Sequence, residues 1–172
     1  MTGNGDRPRA FGLVLSVSGL CIGCIAPSAR LPRTDVPSPN ARRADSEEIL
    51  SQLVDAHNDA RARASLPPLV VDARLEAAAR RHANDMAQRR WMSHRGGDGS
   101  SPFQRMKAEG YSFRRAGENV AAGAFTLESL MTAWMRSPGH RRNILGSFAQ
   151  IGTAYAIDGA GKSYWCVTFG TP

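Results

Sequence analysis

Two long stretches of helical periodicity, followed by a pair of β-rich runs joined by a tight turn, predict an α+β domain built in layers rather than a parallel α/β fold. Asp45 with Glu48 reads as an acidic capping-box variant. Ile49, Leu50, Leu53, Val54, His57, Ala60 and Ala64 then recur at helical spacing and predict a first helix over residues 46–64. After Ser-Leu-Pro-Pro-Leu-Val-Val, Asp72 caps a second helix ending near Arg90, whose inner face is Leu75, Ala78, Ala79, His82, Ala83 and Met86. A glycine-rich loop from Arg95 leads to Ser101 as N-cap, Pro102 at the first helical position and Gly110 as the stop of a short helix. A strand is expected within residues 111–122. Thr126 caps a further helix with Leu127, Leu130, Met131 and Trp134 on its face, and Ser137-Pro138 restarts a short one through Leu145. Gln150 to Ile157 and Ser163 to Phe169 close the domain as an antiparallel hairpin, with Gly159 and Gly161 expected to supply positive φ in its turn.

Ahead of this domain, read as residues 45–172, the chain has a different character. Arg7 and Arg9 precede a charge-free run from Ala10 to Ala26, so residues 1–27 read as a secretory or lipoprotein-type targeting segment. Gly23-Cys24 has the small residue expected before a lipidated cysteine, which makes Cys24 the candidate lipidation site, although Cys21 stands where such signals carry Leu or Val. Residues 28–44, rich in Pro and Arg, read as a linker. The protein is therefore expected to be exported, secreted or anchored at the cell envelope, touching a membrane only through its N-terminal segment.

Composition excludes several classes. With 42% hydrophobic and 22% charged residues the chain is neither wholly disordered nor fibrous. The net charge of +7 splits into +4 over residues 1–43 and +3 over residues 44–172, and no aromatic stacking module accompanies it, so nucleic acid is not an expected partner. Beyond Cys21 and Cys24 the one cysteine is Cys166, which precludes an intradomain disulfide and reads as a small buried hydrophobe. GxSxG, HExxH, P-loop and GxGxxG motifs are all absent, and residues 44–172 hold no CxxC.

The remaining chemistry rests on His94, Glu118 and His140, which stand beside glycine-rich or turn segments. Two imidazoles and a carboxylate can hold Zn²⁺ or another divalent metal with one open position, and can equally form a metal-free proton-transfer set. Structural roles compete: Glu118 can pair with Arg114 or Arg141, and His140 can cap backbone groups near Pro138. His57 and His82 fall on apolar helix faces and read as hydrogen-bonded core histidines.

An ordered series of phrases gives these residues a context: His57-Asn58-Asp59-Ala60-Arg61, Leu66-Pro67-Pro68-Leu69, Met92-Ser93-His94, Gly117-Glu118-Asn119, and Trp134 through Ser137-Pro138-Gly139-His140-Arg141-Arg142-Asn143-Ile144-Leu145. In this order they resemble the CAP superfamily of cysteine-rich secretory, antigen 5 and pathogenesis-related class 1 proteins, in its short bacterial branch. The resemblance spans residues 49–170. It implies a three-layer α-β-α sandwich with a small antiparallel sheet, an extracellular setting, and a pocket of two His and two Glu able to hold a divalent metal. His94 and Glu118 match that pocket's first His and the Glu of its Gly-Glu-Asn motif. Ser137 stands where larger members carry the second Glu, and His140 is the nearest candidate for the second His. Glu128 is eligible only if its helix turns that way. The resemblance leaves two functions: a binding module for a lipid, glycan, cell-wall or protein ligand, or a hydrolase of peptide or cell-wall substrates in which His94, Glu118 and His140 are catalytic.

Overall fold

A computed structural model describes the backbone of residues 39–172 and the side chains of residues 44–172. The targeting segment, with Cys24, and residues 28–38 of the linker lie outside the described residues. The described chain forms five helices and four strands: α1 (Pro39–Ala62), β1 (Val70–Val71), α2 (Ala73–Arg89), α3 (Pro102–Ala108), β2 (Arg115–Ala122), α4 (Leu127–Arg136), α5 (Pro138–Ile144), β3 (Gln150–Ile157) and β4 (Ser163–Thr171). Among these residues no helix is long and apolar enough to cross a membrane.

The strands form one sheet in the order β1-β3-β4-β2. β4 is antiparallel to both β3 and β2, as expected, but β1 runs parallel to β3, so the sheet is mixed. The sequence hides β1 because two residues are too few to show a period. The chain is an α-β-α sandwich. α2 lies across one face, where Ala79, Ala83 and Met86 meet Val120, Ala154, Tyr164 and Cys166. α1, α4 and α5 cover the other, where Leu53, Leu130, Trp134 and Ile144 meet Ile151, Trp165, Val167 and Phe169. The period of two along β4 assigns Tyr164 and Cys166 to one core and Trp165, Val167 and Phe169 to the other.

Two expected details change. α1 begins at Pro39 rather than residue 46, and Asp45 lies inside it instead of capping it; Pro39 is tolerated there because a first-turn residue needs no intrahelical N–H bond. In the hairpin turn only Gly161 has positive φ, at 83°; Gly159 does not. The Asp158 carboxylate replaces the second left-handed residue by accepting from the N–H groups of Ala160 and Lys162. The other caps form as read: Asp72 accepts from Arg74 N–H, and Ser101 with Gln104 completes a capping box over α3.

Three contacts fix the layers. Gly152 on β3 lies so close to α2 that a Cβ would overlap the backbone of Leu75 and Glu76. Asn58 pairs with both backbone groups of Leu69, accepting from its N–H at 2.8 Å and donating to its carbonyl at 3.2 Å. Arg61, only 1% exposed, donates to the carbonyls of Pro67, Ile144, Gly146 and Phe148 at 2.8–3.2 Å. The last residue of the His-Asn-Asp-Ala-Arg phrase thus ties the end of α1 to the α5–β3 connection.

His57 is fully buried between Trp134 and Phe169, and its Nδ1–H donates to the Leu53 carbonyl at 2.7 Å. Burial pushes its imidazole from 6.5 down to about 4; the Leu53 bond opposes this and the Arg61 charge adds to it. The folded value lies below the unfolded one, so the unfolded chain takes up the proton first as pH falls. The stability held by neutral His57 is present above about pH 6.5 and is lost on descent to about pH 4, a change of roughly 3 kcal/mol. Urea denaturation at pH 7 and pH 4.5 should show this loss, and His57→Phe should reduce the pH dependence. Arg61→Lys, which cannot reach four carbonyls in one plane, should lower stability by about 3 kcal/mol in the same assay.

Candidate functional site

The candidate site is built at β2, the outer strand of the sheet on the side away from β1. Successive side chains of β2 point to opposite faces, so Glu118 enters the α2–α3 layer and Asn119 the α4–α5 layer. Both are buried, at 6% and 0% exposure.

Glu118 is held from several directions. His94 Nδ1–H donates to Oε1 at 2.8 Å, and Arg105 Nη2–H donates to Oε2 at 2.6 Å. Cys166 Sγ approaches Oε2 at 3.5 Å, and His82 Nε2 lies 3.9 Å from Oε1. Arg105, from α3, is 3% exposed and also donates to the carbonyls of Ser100 and His94, so one guanidinium fixes both the carboxylate and the loop that carries its histidine partner. His82 secures the same loop by donating Nε2–H to the Ser93 carbonyl at 2.6 Å. Its role is the core role read from the sequence. Burial lowers its imidazole, against the opposing Glu118 charge.

Asn119 fastens the other side. Its Nδ2–H donates to the His140 carbonyl at 3.2 Å, and its Oδ1 accepts from Asn143 Nδ2 at 2.8 Å. The His140 ring packs on Trp134 with 6.2 Å between centroids, and its buried Nδ1 has no hydrogen-bond partner. Burial first, and then the neighbouring His94 imidazole, push His140 below its ordinary value. The fold therefore hydrogen-bonds His94 to Glu118 and sets His140 close enough to His94 to feel its charge. Glu118 pairs with neither Arg114 nor Arg141.

Sequence reasoning missed Arg105, Asn143 and the contact of Cys166 with Glu118. Cys166 is buried as expected, and burial raises its thiol well above the usual value. Nothing local distinguished Arg105 from the other arginines; only the meeting of α3 with β2 buries it. Glu128 lies elsewhere, lining a groove between α1 and α4.

Residues 54–169 match the family described as CAP, cysteine-rich secretory protein family. The chain belongs to this family. It is 35% identical over 143 residues to the uncharacterized protein YkwD of Bacillus subtilis, covering 83% of this chain and 53% of YkwD. An extracellular protein containing an SCP domain from Bacillus anthracis superposes with a TM-score of 0.72 at 25% identity, over 80% of this chain and 45% of that one. An outer surface protein of Borrelia burgdorferi superposes at 0.68 and 25% identity, over 73% of this chain and 93% of that one. The chain thus spans about half of YkwD and less than half of the Bacillus anthracis chain.

A divalent metal is tested by the chemistry of this CAP donor set. His94 Nδ1 is committed to Glu118, leaving Nε2 on a side chain 56% exposed, while both Glu118 oxygens accept from protein donors. A metal bound to Glu118 would have to displace or face the Arg105 guanidinium. Among the described residues no group of three His, Cys, Asp or Glu side chains is arranged to hold a metal ion. Two imidazoles are left as free donors, fewer than the three protein ligands of a usual catalytic zinc site.

The buried Arg105–Glu118 pair gives a double-mutant test. Arg105→Met alone should destabilise the fold by about 3 to 5 kcal/mol, because it strands a buried carboxylate. Adding Glu118→Leu should recover much of that loss, and chemical denaturation of the four proteins in the cycle measures the coupling.

Proposed function

We propose that the chain is an exported binding module of the cell envelope or extracellular space, holding its ligand at the His94–Glu118–His140 site without chemical turnover. The observation that carries this reading is that each oxygen of Glu118 is held by a protein donor. A general base needs a free oxygen aimed at the group it deprotonates, whereas both oxygens of Glu118 accept from His94 and Arg105. The carboxylate serves instead to orient His94, whose exposed edge offers a ligand one imidazole nitrogen. The half-buried His140 ring, packed on Trp134, supplies a second imidazole.

Export is supported by the charge-free run from Ala10 to Ala26 after Arg7 and Arg9. The extracellular Bacillus anthracis protein and the Borrelia burgdorferi outer surface protein share the fold. In the competing hydrolase reading, Glu118 would have to exchange Arg105 for a metal or for water.

Calorimetric titration of Zn²⁺ into the protein, beside His94→Ala and His140→Ala, separates the two. The expected result is no stoichiometric uptake by the folded parent. Tight binding that both substitutions weaken would establish a shared metal pocket, and hydrolysis of a peptide or cell-wall substrate by the metal-loaded protein, lost in His94→Ala, would overturn this reading.

A further inference from the structure

Among the described residues the large apolar side chains left exposed fall in three places. Val70 and Val71 form β1, and Phe103 rests against Phe113. The third group is Trp91, Met92 and Ile157, exposed at 65%, 47% and 57%. An indole so open to water leaves a large apolar area uncovered.

The sequence separates Ile157 from the other two, and the fold reunites them. Arg90, left-handed at φ 54°, ends α2 and turns the chain, and the Trp91 N–H closes that turn on the Met86 carbonyl at 3.1 Å. Met86 shares a core with Ala154 and Tyr164, so α2 ends over the β3–β4 hairpin. Arg90 Nη2 then lies 3.6 Å from the place a Cβ on Gly159 would take, two residues beyond Ile157 at the end of β3. The Asp158 carboxyl senses the same approach: the Lys162 N–H bond first, and then the Ala160 N–H bond and the Arg90 charge, hold it below its ordinary value.

α1 starts at this end too. Its direction is given by His57 beside Phe169 and Ser46 beside Tyr155, whose hydroxyls share a hydrogen bond at 3.2 Å two residues short of Ile157. Pro39 lies about two turns further up the helix. The residues ahead of Pro39, with the charge-free run from Ala10 to Ala26, therefore join the domain at the end that carries Trp91.

We infer that Trp91, Met92 and Ile157 insert into the headgroup layer of a lipid bilayer, a membrane contact made by the domain itself in addition to its N-terminal segment. Shape and point of entry select this occupant. A small ligand needs a recess and a protein partner a surface cut to these two turns, whereas fluid lipid closes around them whatever their relief. A segment read as membrane-directed joins the domain at the same end. Trp suits the layer, with an apolar ring and an N–H that stays at the wet level. Arg90 and Lys162, both exposed, reach lipid phosphates from beside it. Asp158 is occupied by the N–H groups of Ala160 and Lys162 and the Tyr164 hydroxyl, and Asp85 pairs with Arg89. Asp45 and Glu48 on the first turns of α1 offset the two cations, so apolar insertion rather than net charge carries the contact. The inference does not depend on the binding function proposed at His94.

Trp91 is its own probe, because Trp134 and Trp165 are buried at 2% and 4% exposure and residues 1–43 contain no Trp. The full chain is mixed with phosphatidylglycerol–phosphatidylethanolamine vesicles, plain or with brominated acyl chains, and tryptophan emission is recorded. The targeting segment can bind vesicles by itself, so the indole and not sedimentation is the readout. Insertion should shift the emission to the blue and quench it on brominated lipid. Both responses should vanish in Trp91→Phe and fall at least about twofold in Met92→Ser with Ile157→Ser, two exposed positions where the fold is not at stake. A chain that sediments with vesicles while its emission stays unshifted and unquenched would overturn the inference, as would quenching indifferent to the double substitution. A chain that neither sediments nor shifts would overturn it equally and return the patch to a protein partner.

Discussion

The pleat of one outer strand governs the architecture around the candidate site. Because neighbouring residues on β2 face opposite ways, Glu118 and Asn119 fasten the two helical layers to the same point of the sheet. Glu118 holds α3 and the 93–100 loop through Arg105 and His94; Asn119 holds α5 through the His140 carbonyl and Asn143. A central strand would keep these layers apart. At the sheet margin, groups from both can approach around the strand, and His94 lies close enough to lower the His140 imidazole. The small residues beside the pair belong to the same constraint: a Cβ on Gly117 would press on the Asn143 amide and the Phe148 ring.

Polar groups that carry this arrangement are buried with most of their bonds made inside the protein, which is how charge is tolerated at such depth. Arg61 and Arg105 illustrate two solutions. Arg61 has no carboxylate and distributes its donors over four carbonyls, neutralising through many partial charges. Arg105 meets a formal opposite charge and uses its other donors on the loop. The first stabilises a connection between helices and sheet. The second holds one oxygen of a buried carboxylate while His94 holds the other.

Much of this was legible in the sequence because it is local. The 3.6-residue recurrence of Leu75, Ala78, Ala79, His82, Ala83 and Met86 identified α2 and its buried face. The Ser101-Pro102 start located α3, and two β-rich runs joined by the turn from Asp158 to Lys162 located the hairpin. The resemblance named Glu118 and the histidines in advance. What escaped notice depends on distant meetings. β1 exists because Val70 and Asp72 donate to carbonyls about eighty residues away, at Ala149 and Ile151. Arg105 resembles any helical arginine until α3 turns it toward β2. The start of α1 was misplaced because Asp45 and Glu48 imitate a capping signal within a helix already under way.

Asn58 has a consequence for the molecule outside its own fold. β1 lies at a sheet margin with Val70 and Val71 at 63% and 45% exposure, a short apolar strand of the kind that can recruit other chains. The Asn58 amide answers both the donor and the acceptor of Leu69 immediately before it, acting as a one-residue substitute for a neighbouring strand. Sheet extension is thereby stopped at a side chain. This stopper favours monodispersity: it denies the first rung to an edge-to-edge ladder between copies.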